Sequence, residues 1–241
     1  MKVLTFGEKT KHCVVFLHGW GGSFESFLFF AQSLSQNFYC VVIDFADLMF
    51  GDKILTLDDF CNEVSDYLKT NGIQSASFVA HSFGGRVVAR LVQRGEKIFN
   101  KIVLIDTAGL RYRRSLWYHV KVRWFKVLVA LSKFGLVSQK KLASYGSSDY
   151  KCLNLNQKQT FKNIVNLDLK NAYKLIGVPT LIYWGEKDQE TPIYMAKTLH
   201  KIIKNSGLIV EQGAGHFSYL KDVKKFMLVL ESFLQERANK Y

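Results

Sequence analysis

The chain has 241 residues, of which 48% are hydrophobic, 22% charged and 14% aromatic, and its formal net charge is +13. This composition and length are typical of a globular protein with one large domain, or a core with an insertion, and they exclude a disordered or fibrous chain. The N-terminus lacks the apolar run of a secretory signal and no stretch reads as a membrane-spanning helix, so we expect a cytoplasmic protein whose four scattered cysteines are free thiols.

Short β-branched or aromatic runs alternate with longer helical periodicities along most of the chain. The predicted strands, in chain order, are 2–6, 13–17, 39–44, 75–80, 101–106, 180–184 and 208–211. The predicted helices are 24–36, 57–70, 83–94, 192–205 and 223–237. Several strands are apolar almost throughout, as strands covered on both faces must be. The alternation predicts an α/β fold with a doubly wound, mostly parallel sheet.

A glycine-rich loop, HGWGGS at 18–23, follows the second predicted strand. Its glycines let the backbone turn and come close to a reacting group. The N–H groups of Trp20 and of Phe83, further along the chain, are candidate donors to the negative charge that acyl transfer builds on a carbonyl oxygen. Such a loop could instead cradle a phosphate, but the GxGxxG spacing is absent and no P-loop lysine follows.

The strongest motif is SASFVAHSFGGR at 75–86, an apolar strand, a sharp turn and then a helical run. Ser82 lies in the turn, with the small residues Ala80 two positions before it and Gly84 two positions after it. This is the pattern of a nucleophile elbow, in which small neighbours allow a tight turn that lifts a serine hydroxyl above the sheet. Gly85 would let the helix pack close to the strand.

Nearly all of the excess positive charge lies in one internal segment. Residues 111–175 contain fourteen lysines and arginines against Asp149 and Asp168, a net charge of +12. The segment shows no strand alternation, and residues 117–131 have the spacing of an amphipathic helix. We therefore predict a core formed by 1–109 and 176–241, and a basic helical cap at 110–175.

A nucleophilic serine needs a base, and the base needs an acid to hold it. His216 lies in a small-residue loop after the last predicted strand, and Asp188 lies in the turn after the preceding one. The order Ser82, Asp188, His216 is that of a strand-to-helix serine nucleophile on an α/β sheet. Asp106 also ends a predicted strand and is the alternative acid, but the turn position favours Asp188.

The other chemically active side chains have structural interpretations. We expect His18 to fix its loop through backbone hydrogen bonds and His81 to pack beside the serine rather than act as a second base. No cluster of histidines, cysteines and carboxylates suggests a metal site, and no cofactor is expected.

Taken together, these motifs resemble the α/β-hydrolase fold superfamily. The resemblance is to the branch with a helical cap between the sixth and seventh core strands, as strands are counted in that family. The resemblance implies that Ser82 is the nucleophile and that His216 is the general base and then the general acid. It also implies that Asp188 orients His216 and that Trp20 and Phe83 form the oxyanion hole.

The expected reaction is the hydrolysis of carboxylic esters through an acyl-enzyme. The chain also resembles pimeloyl-carrier-protein methyl ester esterases, which have an HGWG loop like that at 18–21 and dock an acidic carrier protein through arginines and lysines of their caps. By this resemblance the docking candidates are Arg111, Arg113, Arg114, Arg123 and Lys126.

Three alternatives stay open for the substrate and the role of the cap. One is a thioesterase, or a lipid or lysophospholipid esterase whose basic cap lies on an anionic membrane surface. Another is a hydrolase of small esters with a merely solvated cap. A third is a ligand-binding or signalling relative with slow turnover. Nucleic-acid binding is not expected, since the aromatic residues of the cap follow helical core spacing.

Overall fold

A computed structural model of the chain describes residues 1–112, 124 and 153–235. The strands are β1 Lys2–Phe6, β2 Cys13–Leu17, β3 Tyr39–Asp44, β4 Ala76–His81, β5 Phe99–Ile105, β6 Thr180–Gly185 and β7 Ser206–Glu211. The helices before β6 are α1 Glu25–Leu34, α2 Ala46–Met49, α3 Leu57–Thr70, α4 Phe83–Gln93, α5 Leu155–Val165 and α6 Lys170–Lys174. The helices after β6 are α7 Tyr194–Ile202, α8 Ser218–Lys221 and α9 Val223–Gln235.

All seven described strands form one sheet, in the order β1-β3-β2-β4-β5-β6-β7. Only β1 is antiparallel to its neighbour β3, and every other pair is parallel. The central strands β2, β3, β4 and β6 are buried along their whole length. Because parallel strands end at one common edge, the loops after β2, β4, β5, β6 and β7 meet there. The predicted fold class is confirmed.

Two apolar cores cover the two faces of the sheet. One packs side chains of α3, α4, α6 and α7 against the sheet, and the other packs α1 and α9. Cys13, Cys40 and Cys61 are buried free thiols within these cores, as predicted, and Cys152 lies outside the described residues.

Local sequence signals explain several of the element ends. Helix α3 begins with a capping box in which Thr56 and Asp59 satisfy each other's backbone N–H groups. It ends at Thr70, with Asn71 as its C-cap, before Gly72 at φ +69°. Predicted and observed bounds of α3 coincide, whereas β5 and β7 each begin two residues earlier than predicted, where parallel pairing to a neighbouring strand continues.

The chain after the undescribed stretch returns to the core before β6. Helix α6 packs against α4 and α7, and Tyr173 on it is fully buried. Arg86 of α4, itself buried, donates hydrogen bonds to the carbonyl oxygens of Ile164, Val165 and Leu167 at the end of α5. The division into a core and a cap at 110–175 stays a prediction.

The predicted amphipathic helix at 117–131 falls outside the described residues, except for Trp124, whose side chain is exposed. No helix in the described part of the chain is long and apolar enough to cross a bilayer.

Candidate active site

Ser82 lies in a strained turn between β4 and α4. Its backbone has φ +47° and ψ −105°, and Asp106 at φ +43° is the only other non-glycine residue with positive φ in the described ranges. Positive φ in a residue with a side chain costs energy and is concentrated at functional sites. The turn projects the serine at the carboxyl edge of the sheet, as the elbow motif predicts.

The two glycines after Ser82 are required by close packing. A Cβ atom at Gly84 would lie 2.3 Å from the carbonyl oxygen of Leu17 in β2, and one at Gly85 would lie 2.0 Å from Oγ1 of Thr107. Helix α4 therefore approaches the strands more closely than an alanine would allow. This packing fixes the start of α4, and with it the direction of the Ser82 hydroxyl.

The structure brings Ser82, His216 and Asp188 together. Nε2 of His216 lies 2.9 Å from Oγ of Ser82, and Nδ1 of His216 lies 2.9 Å from Oδ2 of Asp188. Three elements separated by up to 134 positions thus form one chain of hydrogen bonds. Such a chain lets the imidazole remove the serine proton while the carboxylate stabilises the imidazolium.

The carboxylate of Asp188 is held on both oxygens. Oδ1 accepts hydrogen bonds from the backbone N–H groups of Glu190 and Thr191, and Oδ2 accepts one from the Thr191 hydroxyl as well as from His216. Burial raises the pKa of Asp188, but the hydrogen bonds from His216 and Thr191 outweigh it, so the pKa is lowered. Asp188 is therefore ionised and oriented.

Thr191 and Glu190 were not predicted from the sequence as parts of this site. The available signal was the spacing of a turn in which an aspartate binds backbone N–H groups two and three residues later. Oε2 of Glu190 lies 3.3 Å from Nε2 of His216, although most of the Glu190 side chain is exposed.

The imidazole of His216 has a raised pKa. Burial lowers it, whereas the hydrogen bond and charge of Asp188 and the charge of Glu190 raise it, and together they outweigh the burial. The raised pKa makes His216 a stronger base for removing the proton of the Ser82 hydroxyl.

His81 and His18 occupy structural positions, as predicted. Burial, and then the charge of His216, lowers the pKa of His81 to about 3, so its ring is neutral and its Nε2–H donates to the carbonyl oxygen of His216 at 2.8 Å. Nε2 of His18 accepts from the N–H of Phe45, so its Nδ1–H donates to the carbonyl oxygen of Gly19. One ring supports the backbone of His216 and the other supports the glycine-rich loop.

The glycine-rich loop lies directly against the nucleophile. A Cβ atom at Gly19 would lie 3.3 Å from Cβ of Ser82, and the ring of Trp20 packs edge-on against that of Phe83 at 5.7 Å between centroids. Phe83 is the first residue of α4, where a helix leaves its N–H groups without intrahelical acceptors. Trp20 and Phe83 are thus neighbours beside Ser82, and their role as the donors of an oxyanion hole stays a prediction.

Asp106, the alternative acid, does not take the position beside His216. It is fully buried at the end of β5, and its carboxylate accepts hydrogen bonds from Gly185 and Ser218. Burial raises the pKa of Asp106 to about 7 against these hydrogen bonds. The sequence preference for Asp188 as the partner of His216 agrees with this geometry.

Of the predicted docking residues, the structure describes Arg111, whose side chain is exposed. Arg113, Arg114, Arg123 and Lys126 lie outside the described residues. The basic surface therefore stays a prediction.

Comparison with known proteins supports the fold. A family model described as the alpha/beta hydrolase fold matches residues 13–134 and 137–223. The chain is 24% identical to AB hydrolase superfamily protein YisY of Bacillus subtilis, over 91% of this chain and 90% of that protein. It is 19% identical to a pimeloyl-[acyl-carrier protein] methyl ester esterase of Aliivibrio fischeri, over 93% of this chain and 94% of that protein. An esterase structure from Exiguobacterium antarcticum superposes with a TM-score of 0.73 at 18% identity, covering 97% of this chain and 95% of that one.

Proposed function

Since the chain belongs to the α/β-hydrolase fold family, we propose that it is a serine hydrolase that cleaves carboxylic esters through an acyl-enzyme. The observation that carries the proposal is the chain of hydrogen bonds from Ser82 through His216 to Asp188, with both links at 2.9 Å. The family includes hydrolases of several chemistries, and a serine at the elbow favours acyl transfer among them.

In the proposed first step, Oγ of Ser82 attacks the ester carbonyl as Nε2 of His216 takes its proton. The negative charge on the carbonyl oxygen is stabilised by the N–H groups of Trp20 and Phe83. Loss of one such donor typically costs about 100-fold to 1000-fold in rate. Asp188 stabilises the imidazolium, which then protonates the leaving alcohol.

In the second step, His216 takes a proton from water, and the resulting hydroxide equivalent attacks the acyl-enzyme carbonyl. The same N–H groups stabilise the second tetrahedral intermediate, which collapses to release the acid and returns the proton to Ser82. All proton transfers pass through one nitrogen of His216, which Asp188 keeps in the correct tautomer.

The proposed substrate class is a neutral ester carried on an acidic partner. Two observations support it: the net charge of +12 at 111–175, and the similarity over nearly the full chain to an esterase whose name includes an acyl-carrier protein. A positive segment raises the rate of encounter with an acidic carrier in a salt-dependent way. In this proposal five basic residues contact the carrier: Arg111, Arg113, Arg114, Arg123 and Lys126.

The test is a panel of p-nitrophenyl esters of graded chain length, run beside methyl esters of acyl groups on an acyl-carrier protein. The proposal predicts sustained turnover of at least one ester, abolished by Ser82→Ala. A single burst without turnover would instead indicate a slow ligand-binding relative.

Binding of the acyl-carrier protein tests the proposed partner separately from the proposed reaction. We expect carrier binding that weakens steeply as salt rises, and weakens again when Arg111 is replaced by Glu. Absence of carrier binding at low salt, together with turnover of free or lipid esters, would contradict the proposed carrier partner. The proposed hydrolase activity would still stand.

A further inference from the structure

Asp106 is a buried, strained carboxylate that the proposed reaction does not use. It lies at the end of β5, its side chain is inaccessible to solvent, and its backbone has φ +43°. A non-glycine residue is kept in this conformation only where its surroundings require it. A buried carboxylate is also costly unless it is hydrogen-bonded. The surroundings of Asp106 therefore offset two energetic costs, that of its strained backbone and that of burying its carboxylate.

The hydrogen bonds of Asp106 explain what stabilises it. Oδ1 accepts from the N–H of Gly185 at 2.8 Å. Oδ2 accepts from the N–H of Ser218 at 2.9 Å and from its hydroxyl at 2.6 Å. The hydroxyl of Thr191, whose single hydrogen is shared with Oδ2 of Asp188, also lies 3.1 Å from the backbone carbonyl oxygen of Asp106.

These partners belong to the two loops that carry the proposed acid and base. Gly185 ends β6 and begins the turn that contains Asp188, and Thr191 closes that turn while also binding the Asp188 carboxylate. Ser218 is two residues after His216 and begins α8. One side chain thus binds the backbones of both loops. The loops are also joined by the hydrogen bond between Asp188 and His216, by that from the N–H of Lys187 to the carbonyl oxygen of Ala214, and by that from the N–H of Gly213 to the Glu186 carboxylate.

We propose that Asp106 is a positioning residue that sets the separation between the Asp188 turn and the His216 loop. The inference rests on the proposed function, because it assigns a role to Asp106 through these two residues. It acts on geometry and does not touch the reacting atoms.

The chemistry of the site selects a carboxylate at this position. Three donors converge on two oxygens, and a carboxylate is an acceptor on both. An asparagine of the same shape would turn its NH₂ group toward the N–H of Gly185 or toward the N–H of Ser218, neither of which is an acceptor, and only the Ser218 hydroxyl could rotate to accept. Either orientation leaves donors facing each other and pushes one loop away from the other.

The test is Asp106→Asn, with Ser218→Ala as the milder variant that deletes only one donor. We expect Asp106→Asn to lower kcat by about 100-fold with KM changed by less than about 3-fold, because a displacement of about 1 Å can cost that much. Ser218→Ala should lower kcat by roughly 10-fold, since one of three hydrogen bonds is lost. Asp58→Asn, which breaks an ion pair with Arg90 between α3 and α4, controls for lost stability and should leave kcat unchanged.

Two further readouts separate positioning from simple destabilisation. In an Asp188→Asn background, Asp106→Asn should lower kcat by less than about 3-fold, because residues that act as a unit are not additive. The downfield proton resonance of Nδ1–H of His216, observed by NMR in ¹⁵N-histidine-labelled protein, should be lost or shifted in Asp106→Asn and retained in Asp58→Asn.

The outcomes distinguish this inference from the proposed function. An unchanged His216 resonance with unchanged kcat in Asp106→Asn overturns it, and so does an equal fall in kcat with and without Asp188. Should Asp106→Asn fail to fold, the same comparisons are made with Ser218→Ala. If the wild-type protein hydrolyses no ester, the proposed function fails, and the resonance alone still decides whether Asp106 positions the two loops.

Discussion

Replacing Asp188 with Asn tests the proposed mechanism through the tautomer of His216. The N–H groups of Glu190 and Thr191 both donate to Oδ1 of Asp188, at 2.8 and 3.0 Å. An asparagine must therefore keep its oxygen at that position, because reversing the amide would face two N–H donors and leave the buried one, that of Thr191, unsatisfied at about 1 to 3 kcal/mol. Its NH₂ group then takes the place of Oδ2 and faces Nδ1 of His216.

This fixed orientation predicts the size of the effect. An NH₂ group donates to Nδ1 of His216, so the ring proton moves to Nε2, which can no longer accept the proton of Ser82. We expect kcat on a p-nitrophenyl ester to fall by about 10⁴-fold, the loss typical of a wrong tautomer in a triad. KM should change little, because substrate contacts are not altered.

The control is Glu186→Gln in the same turn. The Glu186 carboxylate is exposed and accepts a hydrogen bond from the N–H of Gly213, which the amide oxygen of a glutamine can also accept. The Glu186→Gln variant should keep kcat within about 3-fold of the wild-type value, as expected for a substitution at the surface. A loss of less than about 10-fold in Asp188→Asn, with the fold intact, would refute the role given to Asp188 and to the tautomer.

Two further predictions concern packing and pH. Gly84→Ala places a methyl group 2.3 Å from the carbonyl oxygen of Leu17, and the overlap should cost about 3 kcal/mol against a helix-propensity gain of about 1 kcal/mol. Chemical denaturation should show the free energy of unfolding lowered by about 2 kcal/mol, while Gly177→Ala, which meets nothing within 4 Å, leaves it unchanged or slightly higher. Glu190→Gln removes a charge that raises the pKa of His216, so the rise of kcat/KM with pH should move to lower pH; an unmoved or upward-shifted limb contradicts the Glu190–His216 contact.

The sheet and the three proposed reacting residues could be predicted because each has a local signal. Apolar runs mark buried parallel strands, and the small residues at 80 and 84 mark a tight turn around Ser82. The positions of Asp188 and His216 follow from topology, since loops after parallel strands meet at one edge. These predictions needed only residue type and order along the chain.

The support around these residues could not be predicted in the same way. Asp106 and Asp188 both follow strands, and although the turn position favours Asp188 as the partner of the imidazole, nothing in the sequence shows that Asp106 binds the backbones of two loops. That difference depends on φ at residue 106 and on the register of β5 against β6, which are tertiary properties. The carboxylate of Glu190 approaches His216 for a similar reason, because the fold of its turn sets its direction.

The most direct test of the central claim is covalent labelling of Ser82. A fluorophosphonate probe should label the wild-type protein, and tryptic mass spectrometry should place the adduct on the peptide that contains Ser82. Ser82→Ala should abolish labelling, and His216→Ala should slow it by several orders of magnitude, since the hydroxyl would lose its base. Labelling that persists in Ser82→Ala, or an adduct on another residue, would contradict the claim that this serine is an activated nucleophile.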